Sequence, residues 1–173
     1  MPRGDRQRSV MISQRARYAF KALIALSRSH SQISQARDIA TNEQIPQSFL
    51  EQILLELKRA GLVGSRRGRD GGHFLLKDPE KITLGQVLRL IDGPVAPLPC
   101  LSRTAYSRCA DCADEAACGL RRVFGQAYEA TLEVLERVSI ADAGAVGSNV
   151  RDDSPDLVAA DQRRGRRGSA TPR

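Results

Sequence analysis

The chain has 173 residues, 41% of them hydrophobic, which suits one domain with tails rather than a large enzyme. Three Tyr, four Phe and no Trp leave the core to Leu, Ile, Val and Ala, and no run approaches the ~18 apolar residues of a membrane span. The first ten residues lack the apolar segment of a secretory signal, which points to a cytoplasmic protein. The net charge is +7 and all but four of the 27 basic residues are Arg, whose planar fork suits phosphate and guanine. That balance suggests a polyanionic partner, although a coding sequence rich in G and C also raises Arg.

Residues 1–12 read as a flexible polar arm. Residues 17–29 have helical periodicity, with Tyr18, Ala22 and Leu26 on one face and Ala19 and Leu23 beside them. Ser34 is the expected cap of a short second helix through Ile39 and Ala40, and Thr41 and Asn42 supply the turn. Pro46 suits the first turn of a third helix, in which Phe49, Ile53 and Leu57 are the expected core, with Leu50 and Leu54 alongside. Gly61 stops it. Two helices across a tight turn match a helix-turn-helix, or an ordinary helical hairpin.

Leu62 and Val63, then a Gly- and Arg-rich stretch, then residues 73–76 read as a β-hairpin. Arg66, Arg67 and Arg69 at its tip have no core role. A basic-tipped hairpin directly after a helix-turn-helix is a winged helix. The glycines do not form a phosphate cradle, since G-x-x-x-x-G-K-[ST] is absent. Residues 83–91 form a short amphipathic helix, residues 94–118 a loop, and residues 119–139 the longest helix. Along that helix Leu120, Val123, Ala127, Ala130, Val134 and Val138, flanked by Phe124, Thr131 and Leu135, make an apolar stripe too long for the domain to cover alone. A second subunit is the expected cover. Residues 141–173 read as a disordered basic tail. The fold class is therefore mainly α with a small β-wing: a winged helix-turn-helix over residues 13–93, a cysteine-rich loop over 94–118 and a dimerisation helix over 119–140.

Gln47, Ser48, Glu51 and Gln52 lie opposite the expected core of the third helix and are the candidate DNA-reading residues; Gln pairs with adenine and Glu accepts from cytosine. Arg66, Arg67 and Arg69 are the candidate phosphate or minor-groove contacts. For Glu51 a solvated face or an ion pair with Arg59 is the competing role. With only His30 and His73, neither in an acid–base or nucleophile constellation, the chain does not read as an enzyme.

All four cysteines fall in the loop as C-x8-C-x2-C-x5-C: Cys100, Cys109, Cys112 and Cys118. Zinc ribbons usually pair two C-x2-C units, whereas iron–sulfur ligation tolerates looser spacing. Three readings follow: an iron–sulfur site, a structural zinc module, or a thiol/disulfide switch with no metal.

The motifs Arg17-Tyr18-Ala19, residues 45–52 (IPQSFLEQ), residues 59–63 (RAGLV), Arg67-Gly68 through Gly71-Gly72, residues 82–85 (ITLG) and Asp92-Gly93-Pro94, followed by the cysteine loop, closely resemble the Rrf2 family of bacterial transcription regulators. Its members include iron–sulfur, iron-responsive and nitric-oxide-responsive regulators. The resemblance runs from about Ser13 to Arg137. It implies a homodimeric winged-helix protein binding operator DNA, with the long helix packed on its mate and a cluster, 2Fe-2S or 4Fe-4S, in the loop. Matched to the family pattern, Cys100, Cys112 and Cys118 are the three ligands and Cys109 is extra, a conditional fourth. The chain departs from two fourth-ligand patterns: Arg121 stands where one branch has His, and Arg17 where another has an acidic residue. Arg has no lone pair to offer a metal at neutral pH.

Overall fold

The computed structural model describes residues 12–29 and 33–149, with side chains through residue 145. Helix α1 spans Gln14–Arg28 and is capped by Ser13, whose Oγ accepts from the Ala16 N–H at 3.0 Å. Its inner face is Ala16, Ala19, Ala22, Leu23 and Leu26, and the small alanines let α3, α4, α6 and the wing gather around it. The Ser13 N–H and Oγ–H also both donate to the Asp92 carboxylate, fastening the start of α1 to the end of α4.

Helix α2 spans Ala36–Asn42 and α3 spans Gln47–Arg59. Ser34 does not cap α2. The N-cap is Gln35, and the Ser34 backbone instead pairs with His73, donating to its carbonyl at 2.9 Å and accepting from its N–H at 2.8 Å. The turn falls at Glu43 and Gln44, where Gln44 takes φ 54°, so α2 absorbs Thr41 and Asn42. In α3 the buried residues are Leu50, Ile53, Leu54 and Leu57. Phe49 is not core: it is 54% exposed. Each step of four residues drifts about 40° around a helix, so a Phe49–Ile53–Leu57 row carries its first member off the core face. At the other end, Gly61 (φ 69°) donates to the Lys58 carbonyl and Leu62 to that of Leu57, both at 3.0 Å, in the Schellman pattern that a left-handed glycine permits.

Strands β1 (Val63–Arg66) and β2 (Gly72–Leu75) pair antiparallel, Ser65 opposite His73 and Arg66 opposite Gly72. The hairpin is longer than the sequence suggests, so Arg66 lies in the ladder and the tip is residues 67–71. Gly64 has no side chain because the Phe74 ring occupies the space: a Cβ there would sit 2.5 Å from Phe74 Cζ. A 3-10 turn, Pro79–Lys81, leads to α4 (Leu84–Asp92), whose cap Thr83 accepts from the Gln86 N–H at 3.1 Å.

The loop after α4 carries a 3-10 turn, Pro99–Leu101, and enters α5 (Gly119–Arg137). The chain then returns to the winged domain: Leu84 donates to the Val138 carbonyl at 3.0 Å and Ile140 to that of Ile82 at 2.8 Å. Helix α6, Ile140–Asn149, corrects the expectation of a tail without structure from residue 141. Ile140 is fully buried, and Ser139 and Asp142 form a capping box: the Asp142 N–H donates to Ser139 Oγ at 3.1 Å and the Ser139 N–H to Asp142 Oδ2 at 2.9 Å. The helix packs on α1 and on the 3-10 turn before α4. The remainder of the expected tail, residues 150–173, and the arm over residues 1–11 lie outside the described residues.

Candidate functional site

Two features stand out: the exposed polar and arginine-bearing surface of α3 and the wing, and the cysteine loop. On α3, Gln47, Ser48, Glu51 and Gln52 are all exposed. Gln47 Nε2 donates to Glu51 Oε1 at 2.9 Å, so Glu51 is held by its neighbour one turn earlier and not by Arg59. Phe49, between Ser48 and Leu50, adds an exposed ring to the same end of the helix, a residue the four-residue spacing had assigned to the core.

Lys58 Nζ donates to Ser65 Oγ at 2.6 Å and joins α3 to β1. Opposite Ser65, His73 sits half-buried with its Nδ1 lacking a hydrogen-bond partner among the described residues. Burial, then the Lys58 ammonium, lower the His73 pKa below the usual imidazole value, with Glu51 pulling the other way. Arg66, Arg67 and Arg69 are exposed. The tip is shaped by Gly68 (φ 113°), whose carbonyl accepts from Gly71 N–H at 3.0 Å, and Gln35 Nε2 reaches the Arg69 carbonyl at 3.5 Å. The exposed polar helix and the arginine-bearing wing are thus joined through Lys58 and Ser65.

In the loop, Cys100 is buried within the turn Pro99–Leu101, and the Ser107 N–H donates back to the Pro99 carbonyl at 3.3 Å. Cys109 lies near enough to act on Cys100; burial first, then the neighbouring Cys109 thiol, push the Cys100 pKa up. The Cys112 N–H donates to the Cys109 carbonyl at 3.1 Å, closing the C-x2-C turn. Cys118 is the N-cap of α5, its Sγ accepting from Arg121 N–H at 3.4 Å. All four cysteines are free thiols, and among the described residues no three His, Cys, Asp or Glu side chains gather as a metal site. The donor chemistry, four soft thiols on one loop, nonetheless fits an iron–sulfur group. The loop is braced by Arg108, which donates to the Cys112 and Ala113 carbonyls, and by Glu115, which accepts from Tyr106 at 2.7 Å and from Arg121 at 3.2 Å.

Helix α5 buries only Tyr128 and Leu132 among its described side chains. Leu120, Val123, Phe124 and Val134 are exposed along its other side, the stripe expected from the sequence. Glu136 near its end pairs with Arg89 of α4, which holds the glutamate's pKa below the usual carboxylate range. No helix among the described residues is long and apolar enough to cross a membrane.

A helix-turn-helix whose second helix buries one face and exposes a polar one, followed by an arginine-bearing hairpin, defines a winged-helix DNA-binding protein. Residues 12–145 match the Rrf2 family, described as an iron-dependent transcriptional regulator. The chain belongs to this family and is a transcription regulator, not an enzyme. An rrf2-like HTH-type transcriptional regulator of Rhodobacter capsulatus is 46% identical over 142 residues, covering 80% of this chain and 95% of its own. The HTH-type transcriptional regulator NsrR of Bacillus licheniformis is 31% identical over 126 residues, 72% of this chain and 85% of its own. Among solved structures, CymR, the global cysteine regulator of Bacillus subtilis, superposes with a TM-score of 0.65 at 30% identity, covering 78% of this chain and 95% of that one.

Proposed function

We propose that this regulator works in the cytoplasm as a homodimer, reads operator DNA through Gln47, Ser48, Glu51 and Gln52, grips phosphates with Arg66, Arg67 and Arg69, and senses iron, redox or nitrosative state through an iron–sulfur cluster in its loop. The observation that carries the reading of DNA is the exposure of four polar side chains on α3 beside an exposed arginine wing. Sensing rests on four thiols confined to a loop between the winged domain and α5. Cys100, Cys112 and Cys118 would hold the cluster, with Cys109 as a conditional fourth. When bound, the group supplies electron exchange and ligand exchange with oxidants or nitric oxide. The chain's part is to present thiolates, offset their charge with Arg103, Arg108, Arg121 and Arg122, and carry the loop's state into α5 through Cys118.

The exposed apolar side of α5 supports dimerisation, because a second copy would cover Leu120, Val123, Phe124 and Val134. A second reading, a thiol/disulfide switch without a cluster, is favoured by the nearness of Cys109 to the buried Cys100. A structural zinc module is the third. Protein purified without oxygen separates them: iron and acid-labile sulfide with visible absorption support the cluster, zinc alone supports the module, and bare thiols that form a disulfide support the switch. Operator titration of each form then tests sensing, since coupling requires the forms to differ in affinity, typically by about 5- to 150-fold.

A further inference from the structure

We propose that His73 is a positioning residue for base reading: it stands in the seam between α3 and the wing, and when it takes up a proton it draws the Glu51 carboxylate away from its reading position. This rests on the reading role of Glu51 and adds pH regulation to it.

The geometry begins with the ladder. His73 lies opposite Ser65, and Lys58 bonds Ser65 Oγ at 2.6 Å, so the imidazole shares its surroundings with the Lys58 ammonium. Glu51 precedes Lys58 by seven residues, about two helical turns, and so faces the wing from the same side of α3. The His73 N–H and carbonyl both bond to Ser34, at 2.8 and 2.9 Å, which holds this residue's backbone at the seam. Its Nδ1 is buried and has no hydrogen-bond partner among the described residues.

The charged groups that act on the ring are Lys58 and Glu51, both from α3; Ser65 of β1 and the Ser34 backbone are its neutral neighbours, and α1, which also packs on β2, adds no charge to it. Burial and Lys58 keep the imidazole neutral at neutral pH. Glu51 is then left to Gln47. A proton on His73 reverses this. The ring becomes a cation whose one facing carboxylate is Glu51, and its repulsion of Lys58 loosens the Lys58–Ser65 link between helix and wing. Glu51 moves toward the seam and leaves its base.

Operator affinity is therefore expected to fall on acidification, by about tenfold for each unit by which DNA binding lowers the His73 pKa. The chain has two histidines, His30 and His73, so NMR can follow both imidazoles separately. The test measures affinity for a selected operator and for random DNA between about pH 7.5 and about pH 5.5, using wild type, His73→Phe, His73→Gln and His30→Gln. Wild type and His30→Gln should lose operator preference on acidification. Both His73 variants should respond little to pH whatever their preference at neutral pH, and two variants of different chemistry give two chances of a folded protein. A wild-type slope retained in a folded His73 variant overturns the proposal. Glu51→Ala tests the underlying reading separately: unchanged base preference at neutral pH removes Glu51 as a reader, whatever the pH slope.

Discussion

Gln47 Nε2 donates to Glu51 Oε1 at 2.9 Å, so two of the four side chains proposed to read bases are already bonded to each other. A carboxylate steadied by an amide one turn earlier loses less side-chain freedom on meeting a cytosine amino group. Glu51→Ala should change base preference more than total affinity, costing roughly 1–3 kcal/mol at the base pair it reads. Gln47→Ala should blur that same position, since it frees Glu51, and should also weaken reading by Gln47 itself. A randomised-site selection with both variants checks this; preferences identical to wild type in both would remove the pair from the readout.

Arg67 immediately precedes the wing's tip glycine, Gly68, and is exposed. Its removal should lower the slope of log K against log salt by roughly 0.9 for each phosphate left without its guanidinium, with similar effect on specific and random DNA. Arg66 sits in the ladder opposite Gly72, nearer the hairpin's base, so its contribution should differ from that of Arg67 and Arg69. Unchanged affinity and salt slope in Arg67→Ala would reduce the wing arginines to a solubilising tip.

Several local rules explain how much of this fold the sequence made legible. Gly61 announces the end of α3 because the Schellman turn needs its positive φ, and the Gly-rich, Arg-rich hairpin follows from turn chemistry. Phe49 misled because a four-residue spacing resembles one helical face while drifting around it. Ser34 misled because a capping side chain says nothing of a backbone claimed by a distant strand, here His73. Helix α6 carried a local signal, Ser139 followed three residues later by Asp142, that went unread beside the low-complexity tail. The nearness of Cys109 to Cys100 has no sequence signature, since it depends on how the loop folds between them.

The capping box on α6 gives a stability prediction with a definite sign. Hydrogen bonds from the Ser139 hydroxyl and backbone hold the Asp142 carboxyl below its ordinary pKa. A group depressed in this way contributes stability that is present above its unfolded-state value and lost as pH falls through the folded one. Ser139→Ala should cost about 1 kcal/mol in urea unfolding at neutral pH. Asp142→Asn should flatten the loss of stability on acidification below the ordinary carboxylate range. Hydrogen exchange in α6 should quicken in both variants, while α3 stays protected; unaltered α6 exchange would show that Ile140 alone anchors the helix.

On α5, the exposed row of Leu120, Val123, Phe124 and Val134 predicts association. Phe124→Asp and Val123→Asp should shift the protein to monomer in sedimentation velocity and keep its helical content, because neither side chain is in the buried set of the fold. Operator affinity should drop as two linked recognition helices become one. A dimer that survives both substitutions would place the interface elsewhere.

The cysteine loop offers the widest choice of outcomes. Cys109 is the thiol that acts on Cys100 in the folded chain, whereas the resemblance to the family implies Cys100, Cys112 and Cys118 as ligands. Serine variants of each cysteine, purified without oxygen and assayed for iron and sulfide, discriminate the two. If the three-ligand set is right, Cys100→Ser, Cys112→Ser and Cys118→Ser should lose most iron and sulfide, and Cys109→Ser should lose little unless its thiol is the fourth ligand. Cys118→Ser is the sharpest of these, because serine still caps α5 and accepts from Arg121 N–H, so a loss of iron would reflect lost ligation and not a frayed helix. Full cluster content in Cys118→Ser would break the ligand assignment. Holo and apo protein with equal operator affinity would break the sensing role and leave DNA binding intact. Absence of iron in wild type, with a Cys100–Cys109 disulfide found by mass spectrometry after peroxide treatment and an altered operator affinity, would establish the thiol switch in its place.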